Sequence, residues 1–91
     1  MEELKTGRVL VDFYATWCGP CKMLAKQIEQ YEAEVDDVKV VKVNVDEHHE
    51  MAGAFGVRAV PTIFYMEDGE VIERASGVKT VPQLKEFTKV A

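Results

Sequence analysis

A chain of 91 residues is long enough for one domain and too short for two, so we treat residues 1–91 as a single unit. Its formal net charge of −5 argues against nucleic acid or an anionic membrane as the partner, because both repel an acidic surface. No apolar run approaches the length of a membrane span, and the N-terminus has neither a basic leader nor an apolar core of a signal peptide. The two cysteines lie too close together to join distant segments, so they indicate redox chemistry in a reducing compartment, which predicts a cytoplasmic protein.

The first half of the chain predicts two strands, each followed by a helix. Arg8–Tyr14 is apolar on both faces, which is typical of a buried parallel strand. After the cysteine segment, a stripe at helical spacing is apolar except at one glutamate: Cys21, Leu24, Ala25, Ile28, Tyr31, Glu32 and Val35. Val38–Val45 predicts the second strand, and Asp46 is a candidate cap for a short helix that ends near Phe55.

The second half of the chain predicts a hairpin and a last helix. Asp68-Gly69 is a hairpin signal between the strands Thr62–Met66 and Glu70–Ala75. Thr80 begins the last helix, with a glutamine in the capping-box position three residues on. The resulting order is β-α-β-α-β-β-α, which indicates an α/β fold with a four-stranded mixed sheet flanked by helices.

The segment Trp17-Cys18-Gly19-Pro20-Cys21-Lys22 joins the first strand to the first helix. Because positions i and i+3 of a helix share one face, its two sulfurs can form a small disulfide ring. Cys18 would occupy the helix N-terminus, where the partial positive charge and free N–H groups favour a thiolate. We therefore interpret Cys18 as an exposed nucleophile and Cys21, one turn further in, as the more buried resolving thiol. Gly19 would let a substrate backbone come close, and Pro20 would keep the turn stiff.

This motif, preceded by Val11-Asp12-Phe13-Tyr14-Ala15, resembles the active-site segment of the thioredoxin family. Two later segments, Val60-Pro61-Thr62 and Glu67-Asp68-Gly69-Glu70, fall in the order and rough spacing of that family. The resemblance covers nearly the whole chain and implies a single thioredoxin-like domain over residues 1–91. It also implies a protein-disulfide reductase with no bound cofactor except a reversible Cys18–Cys21 disulfide. Its partners would be disulfide-containing proteins and an electron donor similar to thioredoxin reductase.

Asp12 is a carboxylate in the middle of an apolar strand, so burial should raise its pKa. A carboxyl that titrates near neutrality below the sulfurs could take the proton of Cys21, directly or through a water. The thioredoxin resemblance assigns the same role to this aspartate, and Lys42 in the adjacent strand resembles its lysine partner in the family. The alternative for Asp12 is a solvated aspartate at the end of the strand, and the alternative for Lys42 is a solvated strand lysine.

The remaining candidate residues would form the substrate-binding surface. The resemblance implies a cis bond between Val60 and Pro61, which would bring the Val60 backbone beside the sulfurs. An extended substrate segment could pair with that backbone as an added strand. The alternative is a trans proline that opens the third strand. Gly77 matches the family glycine in a loop beside the active site, and the amphipathic Trp17 lies next to the nucleophile. We therefore predict that both residues bind substrate, together with Gly19 and Pro20.

His48 and His49 raise the question of a zinc site shared with the cysteines. Adjacent histidines point in different directions on a helix, and one C-x-x-C supplies only half of a usual zinc site, so we expect no metal. Two other functional hypotheses stay open. One is a glutaredoxin-like or partner-specific disulfide reductase. The other is a non-catalytic binding module in which the thiols are incidental.

The stretch before the first strand is short, since only Met1–Gly7 precedes Arg8. The thioredoxin family usually has a strand and a helix there, so we expect a fold truncated at the N-terminus. The strand Val38–Val45 would then be an edge of the sheet with unpaired backbone groups. This predicts either an edge covered by Met1–Gly7 or weak self-association along it, and hence a monomer or a weak homodimer.

Overall fold

The computed structural model describes residues 2–90, and its elements follow the predicted order β-α-β-α-β-β-α. The strands are β1 (Arg8–Tyr14), β2 (Lys39–Asn44), β3 (Thr62–Glu67) and β4 (Glu70–Ser76). The α-helices are α1 (Gly19–Glu34), α2 (His49–Ala54) and α3 (Val81–Phe87). A 3-10 helix, Glu2–Leu4, precedes β1.

The four strands form one mixed sheet, as the sequence predicts, and their order in the sheet is β2-β1-β3-β4. β1 pairs with β2 in parallel and with β3 in antiparallel orientation, and β3 and β4 form the antiparallel hairpin. Asp68 and Gly69 both have positive φ angles, of 51° and 87°, as a type I′ turn requires. β1 therefore lies inside the sheet, and its five middle residues are buried. Four of these five are apolar, and the fifth is Asp12.

Helices pack against both faces of the sheet. On one face, the rings of Phe13, Phe55 and Phe64 meet with centroids 5.0 to 5.5 Å apart. On the other face, the apolar stripe of α1 packs with Leu84 of α3. Leu24, Ile28 and Tyr31 of that stripe are fully buried, as their helical spacing predicts.

The N-terminal segment lies against the turn between β3 and β4 and not along β2. The Gly7 N–H donates to Oδ1 of Asp68 at 2.8 Å, and the Asp68 N–H donates to the Gly7 carbonyl at 2.9 Å. Leu4 is buried in the same apolar cluster as Phe13 and Met66. The expectation that Met1–Gly7 covers the edge of β2 is therefore wrong for residues 2–7, and Met1 lies outside the described residues. Within residues 2–90, β2 pairs with β1 alone.

Asp46 does not cap α2, contrary to the sequence analysis. The N–H groups of Glu47 and His48 donate to the Asn44 carbonyl, and the Asp46 N–H donates to Oδ1 of Asn44. Because of this turn, α2 begins only at His49. His48 is its N-cap residue, and the His48 side chain makes no cap hydrogen bond. No helix within residues 2–90 combines the length and apolarity needed to cross a membrane.

Candidate active site

Cys18 and Cys21 form a disulfide at the N-terminus of α1, with their Cα atoms 5.2 Å apart. Cys18 is the N-cap residue, and its Sγ accepts a hydrogen bond from the Cys21 N–H at 3.1 Å. The backbone therefore directs an N–H group at the sulfur that the sequence identifies as the nucleophile. Pro20 lies in the first turn of α1, as predicted.

The two cysteines differ little in exposure, although the sequence predicts an exposed Cys18 and a more buried Cys21. Cys18 is 5% exposed and Cys21 is 3% exposed, so the expectation of an exposed Cys18 is wrong for the disulfide form. The reason is the close approach of another segment, since the Val60 carbonyl oxygen lies 3.7 Å from Sγ of Cys18. The two cysteines therefore differ less in exposure than in hydrogen bonding, because the Cys21 N–H donates to Sγ of Cys18.

The bond between Val60 and Pro61 is cis, as the resemblance implies. The Gly77 N–H donates to the Pro61 carbonyl at 3.1 Å, so the loop after β4 lies beside the start of β3. Gly77 has a φ of 90°, a conformation that favours glycine, although a Cβ built there would meet no atom within 4 Å. A Cβ at Gly19 would likewise meet nothing, so there is open space at both glycines.

Trp17 stands beside the disulfide with 70% of its surface exposed. Its Nε1–H donates to Oδ2 of Asp46 at 2.9 Å, which fixes the ring although most of it faces solvent. Asp46 is the residue of this site that the sequence analysis did not identify as such. The two residues are 29 positions apart, and no local pattern connects a tryptophan with a carboxylate across two elements.

A second group of candidate residues lies on the other side of Cys21. Asp12 and Lys42 are direct neighbours in the register of β1 and β2. Together with Cys21 they line a cavity of about 420 Å³, whose other residues are Tyr14, Ala15, Thr16, Lys22 and Ala25. The structure thus brings Asp12, Lys42 and Cys21 to the lining of one cavity.

Asp12 is buried as predicted, with 2% of its surface exposed. This excludes the alternative of an aspartate in water. Within residues 2–90, its Oδ1 has no hydrogen-bond partner. Burial raises the pKa of Asp12 from 3.8 to about 6, and the positive charge of Lys42 opposes this shift. Lys42 itself is exposed, and within residues 2–90 its side chain makes no salt bridge. It therefore acts on Asp12 through its charge and not through direct contact.

His48 and His49 are both exposed and lie at the start of α2. In the described part of the chain, no three side chains of His, Cys, Asp or Glu come close enough together to hold a metal ion.

A disulfide between cysteines one turn apart, at the start of a helix that follows an inner strand of a mixed sheet, is typical of a thiol–disulfide oxidoreductase. The sequence model of the thioredoxin family matches residues 1–90. The thioredoxin of Bacillus subtilis is 47% identical over 86 residues, which cover 93% of this chain and 83% of that protein. The thioredoxin of Chlamydia caviae is 47% identical over 76 residues, covering 84% and 74% of the two chains.

Solved structures give the same result. Oxidised mitochondrial thioredoxin 3 from Saccharomyces cerevisiae superimposes with a TM-score of 0.87 at 34% identity, over 97% of this chain and 84% of that one. A thioredoxin variant from Halobacterium salinarum gives a TM-score of 0.83 at 40% identity, over 98% and 81%. The chain belongs to the thioredoxin family. Its activity is that of a protein-disulfide oxidoreductase, and its redox group is the reversible Cys18–Cys21 disulfide.

Proposed function

We propose that this protein reduces disulfides in other proteins by dithiol–disulfide exchange, as a single thioredoxin-like domain in the cytoplasm. Cys18 is the nucleophile and Cys21 the resolving thiol. The observation that carries the proposal is the position of Cys18 at the N-cap of α1, where its sulfur accepts the Cys21 N–H. A sulfur that already accepts a hydrogen bond at a helix N-terminus is suited to carry negative charge.

The first step forms a mixed disulfide. The Cys18 thiolate attacks one sulfur of the substrate disulfide, the substrate S–S bond breaks, and the other substrate sulfur leaves and takes up a proton. The carbonyl of Val60 lies beside the attacking sulfur, so an extended substrate segment can pair with this backbone while it reacts. The exposed Trp17 and Pro20, with the open space at Gly19 and Gly77, receive the rest of the segment.

The second step releases the substrate. Cys21 attacks Sγ of Cys18, the mixed disulfide breaks, and the second substrate sulfur leaves as a thiolate that is then protonated. Asp12, as a carboxylate, accepts the proton of Cys21 through water in the cavity that both residues line, and the positive charge of Lys42 favours that carboxylate before the transfer. Two electrons and two protons have then passed to the substrate, and the chain holds the Cys18–Cys21 disulfide.

The cycle closes when a thioredoxin reductase-like donor returns two electrons and two protons to that disulfide. The protein therefore transports electrons from this donor to many protein disulfides and contributes to cell redox homeostasis. A glutathione-linked donor would instead correspond to a glutaredoxin-like reductase.

The test compares the two donors under one assay. Insulin reduction is followed with NADPH and thioredoxin reductase in one series, and with glutathione and glutathione reductase in the other. We expect turnover in the first series and little in the second, and none with Cys18→Ser in either. Turnover only with glutathione would contradict the assigned donor, and no turnover with either would contradict the reductase function.

A further inference from the structure

The rim of the site on the Val60 side carries two adjoining cavities. The first, of about 190 Å³, lies beside Trp17 and Val60 and is otherwise lined by Val45, Ala52, Val57, Arg58 and Ala59. The second, of about 330 Å³, lies beyond it and is lined by Arg58, Ala59, Thr62, Arg74, Ala75 and Ser76. Arg58 and Ala59 line both, so a substrate segment that follows the Val60 backbone passes from the first cavity to the second.

The second cavity, which we name the arginine pocket, contains two guanidinium groups and no carboxylate. Arg58 is exposed, and within residues 2–90 its side chain makes no hydrogen bond and no salt bridge. Its donors are therefore available to a ligand. Thr62 is not available in the same way, because its hydroxyl donates to the Ala59 carbonyl at 2.6 Å.

Arg74 is held in place by the fold. Its Nη1 and Nη2 donate to the carbonyls of Phe55 and Gly56 at 3.0 and 2.8 Å. Its guanidinium also lies over the ring of Phe64, 5.1 Å from the centroid. These contacts use two of the five N–H donors of the group, so a fixed positive charge with free donors faces the arginine pocket.

The surroundings do not neutralise this charge. Glu73, next to Arg74 in sequence, is paired with Lys89 at 3.7 Å. Asp46, the carboxylate on the Trp17 side of the site, accepts a hydrogen bond from the Trp17 indole. An acidic protein with a net charge of −5 thus presents a local cationic pocket at one side of its redox site.

We propose that the arginine pocket binds an acidic side chain, Asp or Glu, that lies a few residues from the target cysteine of the substrate. This inference rests on the proposed reduction of protein disulfides and names a class of preferred substrate. Arg58 supplies a mobile guanidinium for the carboxylate and Arg74 a fixed one, and together they act as specificity-determining residues. An exposed pair of this kind changes kcat/KM by about two- to fivefold, and the effect declines with salt.

The test uses disulfide-linked peptide dimers whose ends are acetylated and amidated, so that only side chains carry charge. Each peptide has Glu or Gln two residues from its cysteine, on the N-terminal side in one pair and on the C-terminal side in the other. The measured quantity is the ratio of kcat/KM for the Glu peptide to that for the Gln peptide. It is compared for the parent protein, Arg58→Gln and Lys39→Gln.

Lys39→Gln is the matched control, because it removes one exposed positive charge at the other end of the sheet, beside Val9. We expect Arg58→Gln to lower the ratio about two- to fivefold for one of the two peptide pairs, and Lys39→Gln to leave it unchanged. Two results would overturn the arginine pocket, provided that the Gln peptides are still reduced. One is an equal effect of both substitutions, and the other is an equal ratio in the parent protein and in Arg58→Gln. No reduction of any peptide by the parent overturns the proposed function itself.

Discussion

At the scale of single residues, Asp12 gives the clearest prediction. Its pKa is raised from 3.8 to about 6 in the folded protein by burial, so the native state holds the proton more tightly than the unfolded chain does. The stability contributed by that proton is fully present below the unfolded pKa and is lost as the pH rises through about 6. The loss is on the order of 3 kcal/mol.

Asp12→Asn should therefore unfold at a higher urea concentration than the parent at about pH 8, and the difference should shrink toward about pH 4. The same substitution should slow disulfide reduction, because the acceptor for the Cys21 proton is gone. Glu32→Gln, which removes an exposed carboxylate from α1, is the control and should have little effect on either quantity. An Asn variant with the stability and activity of the parent would refute both parts.

Residues whose role depends on near neighbours in the chain were predictable from sequence. Cys18 at the helix start, Pro20 in the first turn and the capping box at Thr80 all follow from spacing along the chain. Asp46 was assigned to a helix cap because an aspartate before a helix usually serves there. Its actual partner, Trp17, belongs to another element, and only the fold brings the two together.

At the scale of elements, the N-terminal segment makes a contribution that its polar sequence did not indicate. Leu4 is 6% exposed and packs in the cluster formed by β1, β2, β3 and α2. Leu4→Ala should lower the free energy of unfolding by about 2 to 4 kcal/mol, because it removes buried methyl groups and leaves a cavity. Chemical denaturation measures this directly.

Glu3→Ala is the control, since it alters the exposed neighbour in the same 3-10 helix. Equal stability of the two variants would mean that the segment is not docked against the turn between β3 and β4.

The strands and helices were predictable because their patterns are local, whereas the contacts that fasten one element to another were not. Arg8 is an example. Its guanidinium donates to the Tyr65 hydroxyl at 2.7 Å, to Asp37 at 2.6 Å and to the Thr88 carbonyl at 2.5 Å. These partners lie 29 to 80 positions away, in the loop after α1, in β3 and at the end of α3. From sequence, Arg8 was only the polar first residue of a strand.

At the scale of the whole molecule, the open edge of β2 predicts weak self-association. Within residues 2–90, the strand has no partner on the side away from β1, and its exposed Lys39 and Lys42 oppose pairing without preventing it. Sedimentation over a concentration series should show a monomer that dimerises at millimolar protein, equally in the oxidised and reduced forms. A strict monomer at millimolar protein, with fast amide exchange along residues 38–45, would reject this.

The central claim is that Cys18 attacks the substrate and Cys21 resolves the mixed disulfide. The most direct measurement is mass spectrometry of the adduct that Cys21→Ser forms with a disulfide-containing protein such as insulin. We predict a stable adduct joined through Cys18, which a reductant releases, and no adduct with Cys18→Ser under the same conditions. A stable adduct of Cys18→Ser through Cys21, or no adduct of Cys21→Ser while the parent protein reduces insulin, would contradict the account.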